Sequence, residues 1–237
     1  ARGLQAPAQT LDMGNSGTSA RLLSGIVAGY DMQVTMTGDA SLQKRPMKRV
    51  IEPLSQMGAR FEAADGGRMP LVIRGGHLQG IDYAVPVASA QVKSAILLAG
   101  LMASGTTRVR EPVQSRDHTE RMLAAFGGQC TVGADGWISV QGGQVLTAPD
   151  DVIAIPGGPS SAAFLIVAAL LVPNSHVLIQ NVGLNPTRTG LIDTLIDMGG
   201  DITFENRRAV GGEDVADVRV KASRLRGVVI PEARVPS

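Results

Sequence analysis

One theme returns three times in this sequence at a spacing of about 71–73 residues, so the chain must fold as a row of similar small units. The first marker is a helix end that turns into a strand: Met57-Gly58-Ala59, Phe126-Gly127-Gly128 and Met198-Gly199-Gly200, with Gly58, Gly127 and Gly199 spaced 69 and 72 residues apart. Glycine just past a helix suits a left-handed cap, which ends the helix and releases the chain into the next strand. The second marker is an arginine that opens each of these helices, Arg45, Arg116 and Arg188, spaced 71 and 72 residues apart. The third is a small polar helix start, Ser16-Gly17-Thr18, Ser89-Ala90-Gln91 and Ser160-Ser161-Ala162, spaced 73 and 71 residues apart. Such a repeat is too long for a solenoid turn and suits a subdomain.

Each copy reads as βαβαββ. Its first helix is apolar nearly all round, as in Ala95-Ile96-Leu97-Leu98-Ala99 and in residues 162–172. A helix without a polar face must be buried on every side. A strand follows (33–37, 106–110, 176–180), then an amphipathic helix with Met47, Val50, Ile51, Leu54 and Met57 on one face, and finally two strands. The expected class is α/β (α+β), with inner helices buried under sheets. The turn-rich stretch from Ala148 to Pro159 places a boundary there, giving two units in 1–155 and one in 156–237.

Composition narrows the partners. Aromatic residues are 3% of the chain and the net charge is +1, so no basic surface interleaved with stacking rings invites nucleic acid. The longest apolar run, residues 162–172, is half the length of a membrane span. The lone Cys130 allows no internal disulfide and no cysteine metal site, which suits a reducing, cytoplasmic setting. Both ends read as cut, from Ala1 rather than Met to the loop-like 231–237, so a longer parent protein is expected.

Chemistry concentrates at helix starts. Residues Asp12 to Arg21 crowd small and capping residues ahead of an apolar helix, leaving backbone N–H groups open to an anion; a simple capped turn is the alternative. The helix dipole disfavours cations at N-termini, so arginines recurring there suggest forks for phosphate or carboxylate, with Arg45 and Arg116 as anion ligands. Pairing with exposed acids is the bland reading of any one of them. Ser89-Ala90-Gln91 sets a hydroxyl and an amide close together, as a ligand contact or as a plain cap. His77, His118 and His176 lack the spacing of a metal pair, and Cys130 reads as a small core residue. The acidic stretch Gly211 to Asp217 reads as a solvated hairpin loop, with cation binding as the lesser alternative.

The segments Gly14-Asn15-Ser16-Gly17-Thr18 with Arg21, Lys44-Arg45-Pro46, Ser89-Ala90-Gln91-Val92-Lys93, Arg116-Asp117-His118-Thr119-Glu120 and Asn185-Pro186-Thr187-Arg188 resemble the 5-enolpyruvylshikimate-3-phosphate synthase family. Residues 211–217 resemble its bacterial, glyphosate-tolerant class. The resemblance runs through all 237 residues in order and corresponds to the middle half of a family chain. It implies the inside-out α/β enolpyruvyl transferase fold, two globules of three βαβαββ units each. It also implies transfer of the enolpyruvyl group of phosphoenolpyruvate to the 5-hydroxyl of shikimate 3-phosphate, without metal or organic cofactor and with glyphosate as an inhibitor. Gly17, Arg45 and Gln91 would then meet phosphoenolpyruvate; Ser89, Ala90, Gln91 and Arg116 would meet shikimate 3-phosphate.

The family's acid–base residues match nothing in these 237 positions, so the expectation is a fragment inactive alone. The family's hinge aspartate is replaced by Gly158, and Gly17 and Leu22 point opposite ways on glyphosate sensitivity. Two alternatives remain: a non-catalytic half completed by a second chain, and the same-fold transferase acting on UDP-N-acetylglucosamine. That rival uses a reactive loop cysteine, whereas Cys130 falls on an expected strand.

Overall fold

In a computed structural model that describes residues 3–148 and 152–234, the first repeat runs β1 (Leu11–Asp12), α1 (Gly17–Ala28), β2 (Gln33–Thr37), α2 (Ala40–Gln43), α3 (Lys48–Gln56), β3 (Arg60–Ala64) and β4 (Arg68–Arg74). Its sheet has the order β1-β2-β4-β3, with β1 parallel to β2 and the other pairs antiparallel. The second repeat is β5 (Asp82–Ala84), α4 (Ala90–Gly100), β6 (Thr106–Arg110), α5 (His118–Ala125), β7 (Cys130–Val132) and β8 (Ile138–Gln141). Its order, β5-β6-β8-β7, reproduces the first sheet in every sense of pairing. The third is α6 (Pro159–Leu171), β9 (His176–Gly183), a 3-10 turn (Pro186–Arg188), α7 (Gly190–Asp197), β10 (Asp201–Val210) and β11 (Glu213–Lys221), ordered β10-β11-β9. A parallel bridge from Gly157 to Val182 stands where the first strand would be. The βαβαββ expectation thus holds in the first two repeats, the first with an added short helix, and in the third with its first strand reduced to that bridge.

Two compact units result: residues 1–114 with 128–146, and residues 115–127 with 147–237. This division differs from the expected 155/156 boundary, part of which (149–151) lies outside the described residues. Although α5 belongs to the second repeat in sequence, its contacts lie with the third. Asp117 accepts from Asn185 Nδ2 at 2.6 Å, His118 Nδ1 meets Glu213 Oε1 at 2.6 Å, and Arg121 faces Asp214 at 3.7 Å. The β10–β11 turn is a hairpin, as expected; its Gly212 and Asp214 are exposed, while Glu213 is partly buried against α5. Gly212 lies close enough to α5 that a Cβ there would sit 2.8 Å from the Arg121 carbonyl.

In the first unit α1 and α4 form the core. Their backbones touch at Gly25, where an added Cβ would lie 2.2 Å from the Ala95 carbonyl oxygen. Helix α4 buries Val92, Ala95, Ile96, Leu97 and Ala99. In the second unit α6 packs only one stripe, Ala162, Ile166, Ala169 and Leu170, in a cluster with Val182, Val218 and Val220. Phe164 is 81% exposed, with Leu165 and Leu171 also exposed, so all-round burial of this inner helix is not met among the described residues. No helix among the described residues is long and apolar enough to cross a membrane.

Two markers shift slightly. The three arginines precede their helices rather than opening them: α3 begins at Lys48, α5 at His118 and α7 at Gly190. Gly158 caps α6, with Pro159 at its first position, so Ser160 lies inside the helix.

Candidate functional site

The start of α1 is built to stay open. Ser16 caps it by accepting from the Ser19 N–H at 3.1 Å, and Gly14, at φ +54, donates its N–H to Asp12 Oδ1 at 2.8 Å. The following short helix α2, which sequence reading missed, is capped by Asp39 through the Ser41 and Leu42 N–H groups at 3.0 and 2.7 Å. A hydrogen bond from Asn15, then those from the backbone, hold the Asp39 carboxyl below its ordinary range. This helix leads the chain to Arg45, whose Nη2 donates to Asn15 Oδ1 at 3.1 Å and lies 3.5 Å from Ser41 Oγ.

Arg21 rises one turn after Gly17. Its Nη1 donates to the Gly17 carbonyl at 3.2 Å and to Gln91 Oε1 at 2.8 Å, and its Nη2 to the Pro46 carbonyl at 3.4 Å. Gln91 in turn donates from Nε2 to Thr18 Oγ1 at 2.7 Å. The first turn of α4 is thereby joined to the first turn of α1. Gly17 stands at the centre: a Cβ there would lie 2.8 Å from Arg21 Nη1 and 3.3 Å from Arg45 Nη1. Its φ is not in the left-handed region, so the glycine serves space rather than conformation.

The result is a cradle rich in positive charge, with the Asp39 carboxylate as the acid that acts on Arg45. Burial, followed by the Arg45 and Arg49 charges, lowers the Arg21 guanidinium from its ordinary value. Among the described residues none of these three arginines makes a salt bridge. Two guanidinium forks across a glycine suit a compact carboxylate or phosphate. Beside the cradle, Ser89 caps α4 in an extended conformation, φ −157, and its hydroxyl accepts from the Val92 N–H at 3.4 Å. Ala90 and Gln91 follow in the first turn.

The structure thus brings Gly17, Arg45 and Gln91 together and sets Ser89 and Ala90 next to Gln91. Arg116 belongs to the second unit, where it lines a cavity of about 730 Å³ with Arg188, Ser160, Thr187 and the side of Phe164. Burial, then the Arg116 charge, lowers the Arg188 guanidinium, which donates to Ser160 Oγ at 2.9 Å. Cys130 is half-buried on β7, and His118 opens α5. No group of three or more His, Cys, Asp or Glu able to hold a metal occurs among the described residues. Sequence reading passed over Arg21 and Thr18 as contributors. The four-residue spacing from Gly17 to Arg21, one helical turn, was the available signal.

Comparison with known proteins extends the geometry. A family model described as EPSP synthase (3-phosphoshikimate 1-carboxyvinyltransferase) matches residues 1–236. The 3-phosphoshikimate 1-carboxyvinyltransferase of Novosphingobium aromaticivorans is 58% identical, covering 99% of this chain and 54% of its own. That of Granulibacter bethesdensis is 55% identical, covering 99% and 53%. A solved EPSP synthase from Acinetobacter baumannii superposes with a TM-score of 0.88 at 51% identity, covering 99% of this chain and 53% of that one. The chain spans about half the length of the curated relatives it matches. Matched along nearly all of its length in both sequence and fold, this chain belongs to the EPSP synthase family.

Proposed function

We propose that the first unit carries part of the substrate site of a 3-phosphoshikimate 1-carboxyvinyltransferase. The observation that supports this most is the cradle at Gly17, where the Arg21 and Arg45 guanidiniums converge and neither makes a salt bridge among the described residues. The carboxylate and phosphate of phosphoenolpyruvate are the anions assigned to it, with Gln91 at its edge and glyphosate as a competing anion. Ser89, Ala90 and Gln91 are assigned to shikimate 3-phosphate. Arg116, held on the second unit, keeps its reading as an anion ligand. In transfer of the enolpyruvyl group charge moves between two multiply anionic molecules. Fixed donors that need no reorganisation are what such a transition state requires.

Proton transfer is assigned to residues beyond these 237, since the family's acid–base positions match none here. The chain by itself is therefore proposed to bind but not to turn over, because positioning and acid–base chemistry each need their own groups. The exposed apolar side of α6 favours completion by further chain of the same fold over an independent role. A cytoplasmic setting is part of this reading. Calorimetric titration with shikimate 3-phosphate, then with phosphoenolpyruvate, tests it. Binding of phosphoenolpyruvate lost in Arg45→Ala is the expected result. Equal binding by parent and variant removes the cradle from consideration, and phosphate release by the chain alone removes the fragment reading.

A further inference from the structure

The fourth helical residue of each inner helix is buried: Ala20 in α1, Ala162 in α6 and Lys93 in α4. Two repeats use the smallest side chain that fits, and one uses a lysine that is 1% exposed. Burying an ammonium is costly unless it is paired and hydrogen-bonded, so this lysine needs a local reason. Its partner is Glu111, directly after β6, whose carboxylate is 3% exposed and lies 3.1 Å from Lys93 Nζ through Oε2. The other oxygen, Oε1, accepts the backbone N–H of Ser89 at 2.8 Å. In an ordinary capping box, a Glu or Gln at the third helical position makes that bond to the cap residue. Here the third position is Val92, which cannot, and Glu111 reaches in from the neighbouring strand instead.

We propose that Lys93 and Glu111 are positioning residues for the ligand-binding start of α4. Lys93 anchors the carboxylate, the carboxylate holds the Ser89 N–H, and Ser89 holds the turn that presents Ala90 and Gln91. Neither residue is assigned contact with substrate. The consequence for the shikimate 3-phosphate site rests on the function proposed above; the consequence for the helix start does not.

The test uses the full chain with two readouts. Amide hydrogen exchange is followed residue by residue in the ligand-free Lys93→Met variant, which keeps the length of the side chain and removes its charge. Exchange at Ser89 is expected to rise at least tenfold while the amides of Ile96 to Ala99 stay protected. The double variant Lys93→Met/Glu111→Gln restores a neutral acceptor for the Ser89 N–H and is expected to recover most of that protection. Calorimetry then follows shikimate 3-phosphate, which is expected to bind at least tenfold more weakly to Lys93→Met, with recovery in the double variant. Unchanged Ser89 exchange in Lys93→Met overturns the proposal. So does uniform loss of protection along α4, or failure of the double variant to recover, since either means general stability and not positioning. If the parent chain binds no shikimate 3-phosphate, the functional reading of Ser89 fails while the exchange result still decides the positioning role.

Discussion

Helices α4 and α6 are both predominantly apolar, α6 the more so, yet they end in different surroundings. In the first unit α1 covers α4, approaching so closely that only glycine fits at position 25. In the second unit α6 has its own sheet on one side and leaves Phe164, Leu165 and Leu171 bare on the other. An apolar helix announces that it needs cover on all sides. Whether cover is supplied depends on what else is folded beside it, and the first unit has two repeats where the second has one complete repeat and a borrowed helix, α5.

The sharpest way to break this comparison is Gly25→Val. With a backbone carbonyl in the way, the two inner helices must separate, and a loss of about 3 kcal/mol or more is expected for the first unit. The single tryptophan, Trp137, lies in that unit beneath Arg108 and Arg110, so its fluorescence during urea unfolding reads the change directly. The next test sets Ile96→Ala on α4 against Leu165→Ala on α6. The first removes a wholly buried side chain at a cost of about 2–5 kcal/mol, whereas the exposed site should change stability by less than about 0.5 kcal/mol. Equal effects would mean that the bare face of α6 is covered in solution.

A smaller effect is expected at the cradle. Gly17→Ala places a methyl 2.8 Å from Arg21 Nη1 and displaces a guanidinium, weakening phosphoenolpyruvate binding by about tenfold, or ~1.4 kcal/mol. Calorimetry measures it.

The mildest test concerns the contact by which α5 joins the second unit. Burial alone would raise the Asp117 carboxyl, but hydrogen bonds from Asn185 and Arg121 outweigh it and hold the group below its ordinary value of 3.8. A carboxylate depressed in the folded state adds stability that is present above its unfolded value and lost as pH falls through the folded one. Asp117→Asn should therefore destabilise the second unit at about pH 6 and do so less at about pH 3. Hydrogen exchange along β11 reports it, and an equal effect at both values would assign the contact to packing instead of charge.

The mixed legibility of the site follows from the same physics. Gly17, Arg45 and Gln91 were visible as separate helix starts because capping chemistry is local. Arg21 was visible only as one turn of helix away from Gly17, and its partners at Gln91 and Pro46 come from 70 and 25 residues along the chain. The role of Glu111 had no local signal, since it holds a helix's cap residue 22 positions earlier. Likewise Glu213 and Asp214 read as loop acids until α5 was folded against them.

Sequence alone determined the period of the repeat, the order of elements within it and the apolar character of the inner helices, because glycine caps, strand alternation and helical periodicity act over a few residues. Tertiary structure decided which helix is covered, which sheet α5 joins and which charges converge around Gly17. Those outcomes depend on close approach between segments far apart in the chain, and no local pattern encodes how far a guanidinium will lie from a glycine in another turn.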